Sequence, residues 1–418
     1  MMVTTASTTR CSLVSAEAGR PPALLVFSDD WGRHPSSCQH LARYLLERYE
    51  ILWVNTIGTR PPRLDLMTLA RGFEKVRQWT RGTPRANQNP ANLQVVCPKM
   101  WPWFRSRIDR RINRGLLVRQ LTPLLESRSD RPIAVTTIPI VADLIGRLPV
   151  SRWVYYCVDD FSQWPGLDQA TMRRMEERLV SQVDVIITVS ETLRDKFSRM
   201  GIHAHLLTHG IDHEHWENGV GEVPVPELDG LERPLIVFWG AIDERMEVRF
   251  LERLASDLTR GTIVLVGPEQ SPLSALEAIP RLVRLAPLPY EQLPGLAREA
   301  AVLIMPYADI PVTRSIQPLK LKEYLATGRP AVVSSLPSTR CWSDCLDVAA
   351  TPESFSAAVR ARIVSGLPGQ QRTARERLAG EGWAAKARSF ESWMIGRSSS
   401  FEVATNGVAH EENTCRCQ

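Results

Sequence analysis

The sequence has no run of about 18 consecutive apolar residues, so hydropathy offers no membrane-spanning helix. Cysteine is sparse, eight in 418 residues, which excludes a disulfide-stapled scaffold. The closest pairs, Cys341-x3-Cys345 and Cys415-x-Cys417, lack a second pair at zinc-ribbon spacing, so no metal site is expected. Cys11, Cys38, Cys97 and Cys157 stand in apolar or strand-like contexts and read as buried thiols of a reducing compartment. Residues 1–20 are rich in Ser, Thr and Ala but lack a continuous apolar stretch, so they do not read as a signal peptide. Together these features predict a cytoplasmic protein. At 44% hydrophobic and 23% charged residues, the composition excludes collagen, coiled coil and wholesale disorder. The length predicts two or three domains. No sign of charge dominates, since the net is +5, but the distribution is uneven. Residues 60–119 carry fourteen Lys and Arg against Asp65, Glu74 and Asp109, a local +11 that leaves −6 for the remainder.

Short apolar runs alternate with longer amphipathic segments, the pattern of βα units around a parallel sheet. Strands are predicted at 23–27, 51–55, 93–97, 133–137, 153–158, 183–189 and 203–208. Helices are predicted at 37–49, 108–127, 168–181 and 191–200, the last N-capped by Ser190. The alternation lapses over 216–234, where Gly219, Gly221, Pro224, Pro226, Gly230 and Pro234 mark a linker. It resumes with strands at 235–239, 262–266, 282–285, 302–305 and 331–334 and helices between them, among them 247–258, 290–300 and 319–326. The expected fold class is α/β: two Rossmann-like, doubly wound parallel-sheet domains facing a cleft. The domains are expected at 21–216 and 234–396, joined by a linker at 217–233, with the final helices packing back toward the first domain. Residues 1–20 and 397–418 are expected to be disordered. Ligands in such a pair gather at the carboxyl ends of the strands.

The most informative segment is Pro318-Leu319-Lys320-Leu321-Lys322-Glu323-Tyr324-Leu325-Ala326-Thr327-Gly328-Arg329-Pro330-Ala331-Val332-Val333. It reads as a helix opened near Pro318 and closed by Gly328, followed by a buried strand. A helix N-terminus beside Lys320 suits a diphosphate, and Glu323 could accept hydrogen bonds from ribose hydroxyls. The same three charged residues would also fit a solvated helix face. The segment resembles the nucleotide-sugar site of retaining glycosyltransferases with the two-Rossmann-domain B fold, the family 4 group. Five further stretches fit that family in the right order. They are Trp153–Asp160, the run Val183-Asp184-Val185-Ile186-Ile187-Thr188-Val189-Ser190, Thr208-His209-Gly210-Ile211-Asp212 before Trp216, and the glycine turns at Gly240 and Gly267-Pro268. The resemblance spans roughly residues 22–395 and points to a branch engaged in cell-surface polysaccharide synthesis. It implies that the first domain binds the acceptor and the second the donor. It implies that Glu323 holds the donor ribose, with Gly240, Gly267, Pro318 and Leu319 around the donor, and that no metal or other cofactor is required. Two positions depart from the family. Ser315 stands eight residues before Glu323, where the family has a first glutamate. Asp29-Asp30-Trp31-Gly32-Arg33 replaces its Gly-Gly loop.

The chemistry expected is stabilisation of a leaving nucleoside diphosphate by Lys320, helix N-termini and Arg314 or Arg245. Asp159 and Asp160 follow a central strand and could orient the sugar or take the acceptor's proton; Asp160 could equally cap the next turn. His209 faces either the acceptor side of the cleft or the interdomain packing. Gly32, Gly240 and Gly267 are expected to permit close backbone approach. Within 60–119, basic residues interleave with Trp79, Trp101, Trp103 and Phe104, which fits contact with anionic lipid. The bland reading is a solvated helix face, and nucleic acid is not expected as a partner. The activity expected is transfer of a sugar from a nucleotide diphosphate donor to a glycan or lipid-linked acceptor, on the inner face of the membrane. Ser315 favours a rival, an inactive glycan- or nucleotide-binding partner of an assembly complex. A nucleotide-sugar epimerase would share the fold.

Overall fold

The structure is a computed structural model that describes residues 22–32, 36–55, 90–217, 225–269 and 274–396. The expected disordered ends 1–20 and 397–418, the first half of the basic segment at 60–89, and 218–224 of the linker lie outside the described residues. Among the described residues, seven strands form the first sheet: β1 (Ala23–Ser28), β2 (Glu50–Asn55), β3 (Leu93–Val96), β4 (Ile133–Thr136), β5 (Arg152–Cys157), β6 (Val185–Thr188) and β7 (His205–Leu206). They are parallel, in the order β3-β2-β1-β4-β5-β6-β7. Six more form the second: β8 (Leu235–Trp239), β9 (Thr262–Val266), β10 (Leu282–Leu285), β11 (Ala300–Met305), β12 (Ala331–Ser334) and β13 (Asp347–Ala349), in the order β10-β9-β8-β11-β12-β13. Strand order reverses between β1 and β4 and between β8 and β11. These are the topological switch points, where an open α/β sheet leaves a crevice beyond its strand ends.

The strands are apolar on both faces because both are covered. In β1, Leu24 and Val26 enter one cluster and Leu25 and Phe27 the other. The helices that matter below are α1 (Ser37–Leu45), α2 (Arg107–Glu126), α3 (Gln169–Val180), α4 (Glu191–Ser198), α5 (Leu319–Ala326) and α6 (Trp383–Ile395). Ser190 caps α4, its hydroxyl accepting from Leu193 N at 3.3 Å. Helix α5 ends at Thr327 with Gly328 in the left-handed region, φ +71°. Helix α6 follows the second domain in sequence but packs on the first. Its Trp383, Ala387, Phe390 and Met394 fill the cluster beneath α1, at the spacing of one helical face. Where the chain returns, Ile211 N donates to Glu381 O (2.9 Å) and Trp383 N to Ile211 O (3.2 Å).

Two expectations need correction. Cys97 is exposed rather than buried, because β3 ends at Val96 and is an edge strand; Cys38 and Cys157 are buried. β13 is absent from the sequence reading because three residues give no readable alternation.

Candidate functional site

The second sheet's switch point is built from glycines. β8 and β9 are each followed by one, Gly240 at φ +132° and Gly267 at φ +150°, conformations that favour glycine. Space demands it too: a Cβ at Gly267 would lie 2.7 Å from the Gly240 carbonyl carbon. A Cβ at Gly240 would overlap the Lys320 ammonium and lie 2.9 Å from its Cε. Lys320 is the second residue of α5. Its Nζ donates to Tyr307 Oη at 2.6 Å and sits 4.4 Å from the Phe238 ring centroid. Tyr307 follows β11, on the other side of the switch point.

Arg245, in the loop after β8, lies 5.9 Å from the Tyr307 ring centroid. Asp243 holds it by two hydrogen bonds of 2.8 and 2.7 Å. Arg245 also covers Trp164 of the first domain at 5.3 Å. Asp159, just past β5, completes the group. Burial raises its carboxyl to about 7, with Arg245 pulling it down and Asp160 pushing it up. Glu323, one turn along α5, accepts from Trp239 Nε1 at 3.1 Å. Burial likewise raises it to about 7, opposed by that hydrogen bond and by Lys320. Two cations, an aromatic hydroxyl and two carboxyls able to titrate near neutrality therefore meet where the domains face each other.

The other expected residues lie elsewhere or do other work. Asp160 accepts from Ser162 N (3.1 Å), Ser162 Oγ (2.6 Å) and Lys196 Nζ (2.9 Å), and Lys196 also pairs with the buried Glu176 at 2.5 Å. It fixes the turn that carries Asp159. Arg314 is exposed and bound by Asp309 at 2.6 and 2.9 Å. Ser315 is buried, its hydroxyl donating to Val312 O (2.8 Å) and its carbonyl accepting from Ser190 Oγ (2.5 Å) across the domain boundary. Pro318 caps α5, and Leu319 packs against the first domain's cluster. Gly32 is corrected: nothing lies within 4 Å of a Cβ there, so its φ of +75° in a turn requires glycine, not close approach. His209 lies buried in the interdomain packing beside Trp383, its backbone N donating to Gln317 Oε1 at 2.5 Å. Burial, aided by Lys322, His40 and Lys386, lowers its imidazole to about 3.

Lys322 is not part of a solvated face; it is 2% exposed. It donates to the His209 carbonyl and pairs with Glu381, which Lys386 also holds at 2.7 Å. Alternate lysines of α5 thus do different work, Lys320 facing the switch point and Lys322 fastening the domains. Sequence reasoning missed Tyr307, although it occupies a position just after a strand, where ligands are expected.

No family model matches the chain. Over 176 residues, 40% of the chain, it is 26% identical to TuaH of Bacillus subtilis (strain 168), whose name assigns it as a glycosyltransferase of teichuronic acid biosynthesis. The match spans 44% of that protein's length. Sucrose-phosphate synthase of Thermosynechococcus elongatus superposes with a TM-score of 0.64 over 90% of this chain and 98% of that one, at 12% identity. The UDP-forming α,α-trehalose-phosphate synthase of Burkholderia vietnamiensis gives 0.64 over 90% and 97%, at 14% identity. An Escherichia coli trehalose-6-phosphate structure bound with UDP-2-fluoro glucose gives 0.62 over 89% and 98%, at 14% identity. At such identities the likeness establishes the fold: two parallel-sheet α/β domains in the glycosyltransferase B arrangement.

Proposed function

We propose that the protein is a glycosyltransferase that moves a sugar, with retention, from a nucleotide diphosphate donor to a glycan or lipid-linked acceptor. Its role in this reading is cell-surface polysaccharide synthesis at the inner face of the membrane. The observation that carries the reading is the row Lys320–Tyr307–Arg245–Asp159 at the second sheet's switch point, where Gly240 admits the Lys320 ammonium. The bond from the anomeric carbon to the diphosphate breaks, and one to the acceptor oxygen forms. Negative charge grows on the departing diphosphate, where Lys320, Arg245 and the N-terminus of α5 stabilise it without a metal ion. The Glu323 carboxylate accepts from the ribose hydroxyls. Asp159 orients the sugar or accepts the acceptor's proton, for which a carboxyl near 7 is well matched. The match to TuaH supports the polysaccharide context.

A second reading, a non-catalytic nucleotide-binding partner, is favoured by Ser315, which is tied into domain packing where the family has a glutamate. Release of nucleoside diphosphate from a panel of nucleotide sugars, by wild type and Glu323→Ala, separates the two. Turnover by the wild type that collapses in the variant supports the transferase. Equal, negligible turnover with nucleotide still bound supports the partner.

A further inference from the structure

Trp239, the last residue of β8, is buried, and its one side-chain donor goes to the carboxylate assigned to the ribose. The indole Nε1 donates to Oε2 of half-buried Glu323 at 3.1 Å. Among the described residues, no hydrogen bond engages the other carboxylate oxygen, Oε1. Three contacts fix the indole. Its backbone N donates to Tyr324 Oη at 3.2 Å, and the Tyr324 ring meets it edge-on, centroids 4.3 Å apart at 71°. Trp216 stacks on it at 5.6 Å and 9°. Tyr324 is itself anchored, donating to Ile304 O at 3.2 Å, and Trp216 comes from the short helix His213–Glu217 at the end of the first domain.

A phenylalanine would fill the same place against Trp216 and Tyr324; what the indole adds is the N–H. That group donates and cannot accept, so it favours the ionised carboxylate over the acid. The preference matters at Glu323, because burial raises its carboxyl to about 7, with the Trp239 bond and then Lys320 opposing. Lys320 acts there by charge alone, since its ammonium is bonded to Tyr307 at 2.6 Å. Tyr290 and Tyr324 are the other titratable groups facing Glu323, and burial raises both hydroxyls, so they stay neutral while the carboxyl titrates. Among the described residues, the indole is thus the one hydrogen-bond donor that holds this carboxylate.

We propose that Trp239 is a positioning residue: its N–H clamps one oxygen of Glu323 and leaves the other free for the donor ribose. The proposal rests on the ribose contact assigned to Glu323 above. The first test needs no ligand. Heteronuclear NMR of the full-length protein follows the Glu323 carboxyl as pH is varied, with Glu323→Gln identifying its resonance. In Trp239→Phe the midpoint should rise by about one pH unit, a roughly tenfold change in acidity from the loss of one hydrogen bond to a charged group. In the wild type, the Trp239 indole N–H resonance should titrate with the same midpoint as the carboxyl, a measurement that stands even where the variant fails to fold. An unmoved carboxyl in folded Trp239→Phe, or an indole resonance flat through neutral pH, overturns the proposal. The second test is calorimetry with uridine, guanosine and adenosine diphosphates. At pH 7, Trp239→Phe should bind about five-fold more weakly, because the ionised share of Glu323 drops from about half to about a tenth. Alkaline pH should restore most of that affinity, and in the Glu323→Gln background Trp239→Phe should change nothing further. A loss of the same size at every pH, or one that persists in the Glu323→Gln background, assigns Trp239 to packing and overturns the clamp. Unchanged affinity in Glu323→Gln alone would remove the ribose contact instead, while the carboxyl titration still decides the clamp.

Discussion

A methyl group at position 240 would act at the centre of the proposed donor site. The backbone there has φ +132°, which an L residue adopts only with strain, about 1–3 kcal/mol. The new Cβ would also overlap the Lys320 ammonium. That group is the free end of a long chain, so the clash is relieved by moving the ammonium rather than the backbone. The move forfeits the 2.6 Å bond to Tyr307 and the seat over Phe238, and a hydrogen bond to a charged group is worth about 1.5–3 kcal/mol. Gly240→Ala is therefore expected to lose about 2.5–6 kcal/mol in urea denaturation. Titration calorimetry should show nucleoside diphosphate affinity falling about ten- to a hundredfold, about 1.5–3 kcal/mol. Lys320→Met closes a double-mutant cycle: in its background Gly240→Ala should cost only the backbone strain and nothing further in affinity. Wild-type affinity in Gly240→Ala, or losses in affinity that simply add, would refute the coupling of this glycine to Lys320.

If the Glu323 carboxylate accepts from the ribose, affinity for nucleoside diphosphate should rise as pH rises through about 7, since the protonated form binds less well. Glu323→Gln should flatten that profile in calorimetry. Asp159→Asn is expected to cut turnover and spare nucleotide affinity, whereas Asp160→Asn should lower the melting temperature, because Lys196 loses a partner. A Tm change for the first with normal turnover would reverse these assignments. Burial alone would raise the Glu381 carboxyl, but the Lys322 and Lys386 ammonium groups outweigh it and hold it at about 2, below its ordinary 4.5. This stability is present above pH 4.5 and lost as pH falls toward 2. Glu381→Gln should remove that slope in acid titration and cost about 3 kcal/mol at neutral pH, because two lysines lose their counter-charge.

What could be read from the sequence was local. Helix Leu319–Ala326 has its boundaries as expected, because its Pro opening and Gly stop are encoded within a few residues. Gly240 and Gly267 were legible because strand–glycine turns are short motifs. The partners of those residues were not. Tyr307 is thirteen residues from Lys320 and belongs to another strand end. Lys322 reads as a surface charge until Glu381, 59 residues on, is brought against it by folding. Asp159 and Asp160 are adjacent and chemically identical; only the distant Lys196 and Arg245 give them different tasks. Cys97 was misread because strand character does not disclose which strand lies at an edge.

The return of α6 onto the first sheet divides the molecule differently from its sequence. The outgoing segment at Ile211 and the incoming one at Gly382 run side by side and exchange backbone hydrogen bonds, so the polypeptide crosses between the halves at paired points rather than at one tether. Against Gly210 the Trp383 ring leaves no room for a side chain, since a Cβ would come within 2.6 Å of it. A single tether would let one half swivel freely on the other. Paired crossings sealed by a tryptophan restrict that rotation and hold Asp159 of the first half against Arg245 of the second.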